Sequence, residues 1–430
     1  MKIIDAQQND ITAELKRIIN RGETATEDVA ATVKEIIERV RREGDPAVLE
    51  YTEKFDKVKL GLKDIRVSFE EIKGAYFDVE TKKVDALKLA AQNIRAFHEK
   101  QKLTSWITQE EYGVILGNLV RPIRSVGIYV PGGKACYPSS VLMNVIPAQV
   151  AGVKHLVMCC PAQGGKLSPF ILVAADIAGV TEIYKIGGAQ AIAAMAYGTA
   201  SIPQVDKIVG PGNIYVATAK RYVFGQVDID MIAGPSEILI IADDTANPTY
   251  VASDLLSQAE HDELASSLLL TNSRELAEKV DREIERQLAS LRRKEIAQKA
   301  LDRFGALIIT KNLREAADIS NSIAPEHLEL AVDKPFEVLA MIKNAGAIFL
   351  GHYTPESVGD YIAGPSHVLP TGGTARFFSP LSTDSFFKKS SLIFYTKEGL
   401  YRVAEAVMQI ADMEGLEAHG NTMKVRKAKK

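Results

Sequence analysis

GIYVPGG (residues 127–133), HLVMCCP (155–161), EIYKIGG (182–188) and DKIVGPG (206–212) decide the fold. Each is a short run of branched or aromatic apolar residues that stops at a proline or a glycine turn. Alanine-rich stretches of helical period separate them, such as AQAIAAMAY at 189–197. Apolar runs with no polar face read as strands buried on both sides, which is the signature of a parallel sheet covered by helices. Working outward, EILIIAD (237–243), SLLLT (267–271), ALIIT (306–310) and AIFLG (347–351) repeat the pattern and bring the strands to eight. The fold class is α/β, with two incomplete, Rossmann-like parallel-sheet domains and helical N-terminal and C-terminal arms.

The first 120 residues read mostly as helix. TEDVAATVKEIIERVRRE (26–43) spaces Val29, Val33, Ile36, Ile37 and Val40 at helical intervals, and a second amphipathic segment runs from Thr81 to Gln101. The charged stretch 280–303 reads as an exposed helix or helical pair. Boundaries fall near residues 125 and 237. The expected division is an N-terminal arm (1–25), a larger domain (26–125 with 237–380), a smaller domain (126–236) and a C-terminal arm (381–430). There is no fixed-period repeat and no low-complexity segment.

At 430 residues the chain can bury a substantial core without disulfides or structural metals. Fifty-two basic against fifty-five acidic residues leave a net charge of −3, which excludes a polybasic nucleic-acid or membrane-surface binder as the default class. The basic cluster Lys424, Arg426, Lys427, Lys429 and Lys430 reads as a solvated terminus. No apolar run reaches the roughly 18 residues of a membrane span. MKIIDAQQND lacks the apolar stretch of a signal peptide, and only Cys136, Cys159 and Cys160 occur, so a reduced, cytoplasmic location is expected.

Several positions carry chemistry. Gly132-Gly133, Gly187-Gly188 and Gly210-Pro211-Gly212-Asn213 each follow a strand, where glycine lets a phosphate approach the backbone. The last lacks the third glycine of the dinucleotide fingerprint, so an ordinary strand-to-helix turn and a nucleotide site both remain open. Tyr129, Gln190 and Asn213 are the polar groups beside these turns. Gln258 and His261 share one helical face and offer an oxygen and a nitrogen to one cation; a surface histidine explains the pair equally well. In Ala324-Pro325-Glu326-His327-Leu328, proline suits a first helical turn capped by Asn321 or Ser322. That position would keep His327 neutral and fit for general-base work, or hold Glu326 as an ordinary dipole partner. Asp360, His367, Glu414 and His419 lie in turn-rich or terminal stretches. Gln258, His261, Asp360 and His419 together would suit zinc. Cys159 and Cys160 end an apolar strand and read first as small buried hydrophobes.

GIYVPGGKACYPSSVLMNVIPAQVAGV, KIGGAQAIAAMAYGT, VDKIVGPGNIYVATAK, DMIAGPSEILIIAD, LLSQAEHD, IAPEHLEL, GDYIAGPSHVLPTGGTARFFSPLS and EGLEAHGN follow one another in order. With these eight stretches the chain resembles the histidinol dehydrogenases from about residue 20 to 422. The resemblance implies NAD at Tyr129, Gln190 and Asn213 in the smaller domain. It implies zinc, one per subunit, at Gln258, His261, Asp360 and His419. Substrate would be held by Ser236, His327 and Glu414 together with those four ligands, and Glu326 with His327 would be the acid–base pair. The family pattern has other small residues where Cys136 and Cys159 stand here.

The implied reaction is the NAD-dependent, four-electron oxidation of L-histidinol to L-histidine through histidinal, the last steps of histidine biosynthesis. A homodimer is expected in which Glu414 and His419 reach the partner's site, because an arm so near the terminus needs something to order it. Two rivals stand beside this reading: a metal-free aldehyde dehydrogenase with a cysteine nucleophile, and a non-catalytic sensor of imidazole compounds.

Overall fold

A computed structural model describes residues 1–22, 27–132 and 136–427. Gly133, Thr26, Lys429 and Lys430 lie outside the described residues. The strands are β1 (Lys2–Asp5), β2 (Trp106–Gln109), β3 (Ile115–Pro122), β4 (Ser125–Tyr129), β5 (His155–Cys159), β6 (Glu182–Tyr184), β7 (Lys207–Val209), β8 (Asp228–Ile229), β9 (Glu237–Ala242), β10 (Ser266–Thr271), β11 (Gly305–Ile309), β12 (His327–Ala331), β13 (Ala347–Leu350) and β14 (Phe387–Phe394). All eight strands expected from the sequence are present. They form two parallel sheets, ordered β1-β11-β10-β9-β12-β13 and β6-β5-β4-β7-β8. Strand order reverses beside β9 in the first sheet and beside β4 in the second, as in doubly wound folds.

Both sheets are buried on both faces, which is why their strands carry no polar alternation. In the larger sheet Ile238 and Ile240 pack under the helices Pro248–Ala259, Arg274–Leu288 and Lys294–Phe304, so the charged stretch is a helical pair. Leu239 and Ile241 pack on the opposite face with Leu15, Ile18, Ala316 and Ile323. The smaller sheet buries Val126, Ile128, Leu156 and Met158 on one side, and Val157, Cys159 and Ile208 on the other.

Two groupings differ from expectation. Residues 1–22 of the expected N-terminal arm belong to the larger sheet: β1 is an edge strand pairing with β11, Lys2 opposite Ala306, and Leu15 and Ile18 enter the larger core. The helices between 27 and 99 pack on the smaller sheet, not the larger. Val33, Ile36 and Val40 join its one face, and Val84, Ala91 and Ile94 its other. Helical period shows which residues a helix buries, not which sheet receives them.

A third, antiparallel sheet, β14-β3-β2, was not legible in sequence. β14 pairs along its full length with β3, Phe387 opposite Pro122 through Phe394 opposite Ile115. Trp106, Ile107, Ile393 and Phe394 are exposed on it, so no buried face imposes the period-two pattern that marks a strand. Beyond β14 the helices Lys397–Met413 and Glu417–Lys427 pack on one another.

Candidate active site

The smaller sheet presents Gly132, Gly187-Gly188 and Gly210-Pro211-Gly212 at the carboxyl ends of its strands, Gly132 and Gly187 both lying against Pro161 and Gly188 and Gly210 against Tyr129. The Tyr129 hydroxyl, at the end of β4, accepts from the Gly188 amide at 3.1 Å. Gly210 has φ +112°, and a Cβ there would lie 2.0 Å from the Tyr129 carbonyl oxygen, so only glycine fits. Behind that turn the buried Lys220 ammonium is paired with Asp230 and donates to the Gly210 carbonyl at 3.0 Å, while Asp230 Oδ2 accepts from the Gly210 amide. Gln190 is 1% exposed, and neither atom of its amide has a hydrogen-bond partner. A buried amide without partners beside glycine turns suits a polar ligand. Asn213 instead caps the helix Ile214–Val223, its Oδ1 accepting from the Tyr215 and Val216 amides.

The larger sheet contributes at the opposite, amino ends of its strands. Glu326 and His327 do not start a helix. The helix Leu313–Ile323 ends at Ala324, which takes φ +53° before Pro325, and His327 opens β12 between β9 and β13. A residue before proline avoids the α region, so here the proline follows a helix end instead of starting one. Both side chains are buried. Glu326 Oε2 accepts from the Glu237 amide at 2.8 Å. His327 Nδ1 lies 2.9 Å from the Glu237 carbonyl oxygen; a carbonyl only accepts, so Nδ1 carries hydrogen. That leaves Nε2 as the free ring nitrogen, 3.4 Å from Asp360 Oδ1 and without a hydrogen-bond partner.

Charge in this pocket is concentrated. Burial pushes the Glu326 carboxyl up to about 8, with His327 opposing and Glu237 adding to the rise. Burial pulls the His327 imidazole down, but the carboxylates of Glu356, Glu326 and Asp360 pull harder and hold it well above its usual value. The helix N-terminus expected at His327 is absent, because the preceding helix ends at Ala324, and Glu356, Glu326 and Asp360 face the ring instead. Asp360, also raised by burial, is held below its usual range by His327, His367 and His261. His261 is lowered by burial, against the pull of Asp360.

Gln258 sits in the last turn of the helix Pro248–Ala259, and His261 lies just past its end, its amide bonded to the Gln258 carbonyl at 3.2 Å. The Gln258 side chain is fully buried, and neither amide atom has a partner. An unpartnered buried amide, a near-neutral imidazole and an ionised Asp360 fit a divalent cation of mixed nitrogen and oxygen preference. Among the described residues, His327, Glu356 and Asp360 also bring potential ligand atoms within 4.8 Å of one another. Ser236 is half-buried immediately before β9. Glu414, just past the end of the helix Lys397–Met413, and His419, on the helix Glu417–Lys427, are exposed and do not join this cluster within the single chain.

Sequence reasoning did not single out Glu237, Glu356 or Arg21. Glu356 opens a short helix and reads as a routine dipole partner, yet it is 2% exposed and its Oε2 has no partner. His367 joins the site through Asp360, its Nδ1 3.0 Å from the Asp360 carbonyl oxygen, and its Nε2 lies 3.3 Å from Ser140 Oγ on the smaller domain. Between the two halves opens a cleft of about 530 Å³ whose lining includes Cys136, Tyr137, Leu142, His261, Arg293 and Tyr361. Cys159 and Cys160 are buried in the smaller core. Burial pushes the Cys160 thiol up to about 12 and Cys159 higher still, so neither is a ready nucleophile.

A family model described as histidinol dehydrogenase matches residues 19–427. A histidinol dehydrogenase of Syntrophotalea carbinolica is 56% identical over 426 residues, covering 99% of each chain. That of Geobacter sulfurreducens is 55% identical over 99% of this chain and 100% of its own. Among solved structures, histidinol dehydrogenase from Elizabethkingia anophelis superposes with a TM-score of 0.93 at 42% identity, covering 99% of this chain and 98% of that one.

Proposed function

This chain belongs to the histidinol dehydrogenase family of oxidoreductases, and we propose that it converts L-histidinol to L-histidine through histidinal, consuming two NAD per histidinol and holding one zinc ion per subunit. The observation that carries the reading is the state of His327. Its Nδ1 is anchored on the Glu237 carbonyl, and its Nε2 is buried, unpartnered and directed toward Asp360.

Removing hydride from an alcohol requires the hydroxyl proton to leave as well. In its neutral form, with hydrogen on Nδ1 only, His327 would take that proton at Nε2. Histidinal must then gain water before a second oxidation, and Glu326 takes the proton of the attacking water on its carboxylate. With a carboxyl pushed up to about 8, Glu326 exchanges protons near neutral pH. Tyr129, Gln190 and Asn213 would hold NAD at the glycine turns. Gln258, His261 and Asp360, with His419 from a partner subunit, would hold zinc. When bound, NAD accepts hydride in each step and zinc supplies positive charge to orient the substrate and polarise its oxygen. Ser236 and Glu414 would position the substrate, which lies between the domains and away from bulk water.

Stoichiometry tests the proposal. Two NADH should form per histidinol consumed, and chelation should abolish turnover until zinc is restored. One NADH per histidinol would reduce the reaction to a two-electron oxidation. Failure of NAD to bind by calorimetry would move the chain toward the sensor reading.

A further inference from the structure

The hydrogen bonds around Glu326 and His327 run through one residue, Glu237, and from it to an arginine 216 positions earlier. Glu237 is 4% exposed at the start of β9. Its amide donates to Glu326 Oε2 at 2.8 Å, and its own Oε2 accepts from the Glu326 amide at 3.2 Å. The two glutamates thus clasp one another reciprocally. The Glu237 carbonyl accepts from His327 Nδ1, which fixes the ring's tautomer and rotation. The remaining carboxylate oxygen, Oε1, accepts from the Gly372 amide at 3.1 Å and from Arg21 at 3.0 Å.

Arg21 lies in the one-turn helix Asn20–Gly22 and is itself buried. Its Nε donates to the Leu264 carbonyl at 2.7 Å, and Nη1 to Ile18 at 2.6 Å and to Glu237. Nη2 donates to the carbonyls of Pro235 and Ser236, each at 3.1 Å. All five guanidinium donors are used, and three of the five acceptors belong to residues 235–237. A buried ion pair is a weak source of stability, because desolvation offsets its attraction. Its strength lies in fixing geometry, and here the geometry fixed is that of both acid–base groups.

We infer that Arg21 and Glu237 are positioning residues for the Glu326–His327 pair: Glu237 sets the orientation of both groups, and Arg21 locks Glu237. The inference rests on the reading of Glu326 and His327 as the acid–base pair. Lysine cannot replace Arg21, since its three donors and flexible stem do not reproduce a planar five-donor fork. Glutamine at 237 keeps the shape but must turn an amide N–H toward Arg21 or toward the Glu326 amide, so one of the two holds is lost.

The test compares zinc-loaded Glu237→Gln, Arg21→Lys, Glu326→Gln and His327→Asn in the oxidations of histidinol and of histidinal. Displacing reacting groups by about an ångström costs on the order of 100-fold in rate. Folded Glu237→Gln should therefore lose about that much kcat in both oxidations, with KM for histidinol within about three-fold and zinc content unchanged. Arg21→Lys should lose kcat in the same two steps. Folded, zinc-replete Glu237→Gln with parental kcat overturns the inference, as does a fall confined to KM. Unfolding of both variants also overturns it, assigning the pair to stability instead. Parental kcat in Glu326→Gln and His327→Asn is a different result: the acid–base reading itself would then have failed.

Discussion

At the scale of single residues, the acid and base sit side by side in sequence but meet different surroundings. Glu326 is anchored by one oxygen, while His327 keeps Nε2 free and aimed at Asp360. This asymmetry predicts a division of labour. His327→Asn should slow histidinol oxidation by ~100-fold or more, whereas Glu326→Gln should act mainly on supplied histidinal; general acid–base groups contribute about that range. Equal losses in both half-reactions would refute the assignment. Gln258, His261, Glu326, His327 and Asp360 were picked out through the family resemblance, since each alone had a bland reading and the burial of Gln258, Glu326 and His327 is not visible in a sequence. Glu237 and Arg21 were not legible. A glutamate heading an apolar strand and an arginine after a short helix look routine until the fold brings them together. The helix expected at Glu326 failed for a related reason, since one proline can open a helix or follow one, and β12 acquires its identity only from β9 and β13 beside it.

At the scale of elements, the helix Pro248–Ala259 lies over the larger sheet and helps trap three carboxyl groups. Burial raises Asp254 to about 6 and Glu356 to about 7, and burial holds Glu329 well above its usual value, with Asp254 adding to the rise. Glu329 Oε1 also accepts from the Glu356 amide at 2.8 Å. Groups with raised folded-state values bind protons more tightly when folded than when unfolded. Between the usual carboxyl range near 4 and the raised values of 6 to 7, the folded state therefore holds more protons, and stability falls as pH rises. Zinc-free protein should accordingly lose melting temperature from pH 5 to pH 7.5. Asp254→Asn should flatten that slope and gain ~1–2 kcal/mol at pH 7.5. A melting temperature that rises across this interval in the parent would contradict the account. Such a cluster escapes sequence reading because its members come from three separate elements.

At the scale of the whole molecule, the carboxyl ends of one sheet meet the amino ends of the other across the cleft, and the segment after Asp360 ties them. Asn93 donates to the Ile362 carbonyl at 2.8 Å, and Val368 enters the smaller core. The C-terminal helices stand apart from this arrangement, with Glu414 and His419 exposed and with Ile410, Met413 and Leu416 turned to solvent. The prediction at this scale is a two-fold dimer in which these side chains are covered and each arm completes its neighbour's site. Mixing inactive His419→Ala with inactive His261→Ala subunits should then yield heterodimers holding one intact site, with activity recovering toward half that of the parent dimer. Exchanged heterodimers that stay inactive would mean that each arm serves its own subunit. The parallel-sheet architecture was readable from eight apolar runs, while the antiparallel sheet that carries the arm was not, because it has no covered face to write a pattern. The cysteines close the account from another direction. Two are sealed inside the smaller core, and the third, Cys136, is exposed on the lining of the cleft. The native chain thus carries one solvent-reachable thiol on the lining of this cleft, an attachment point for a fluorescent or spin label that needs no cysteine added or removed.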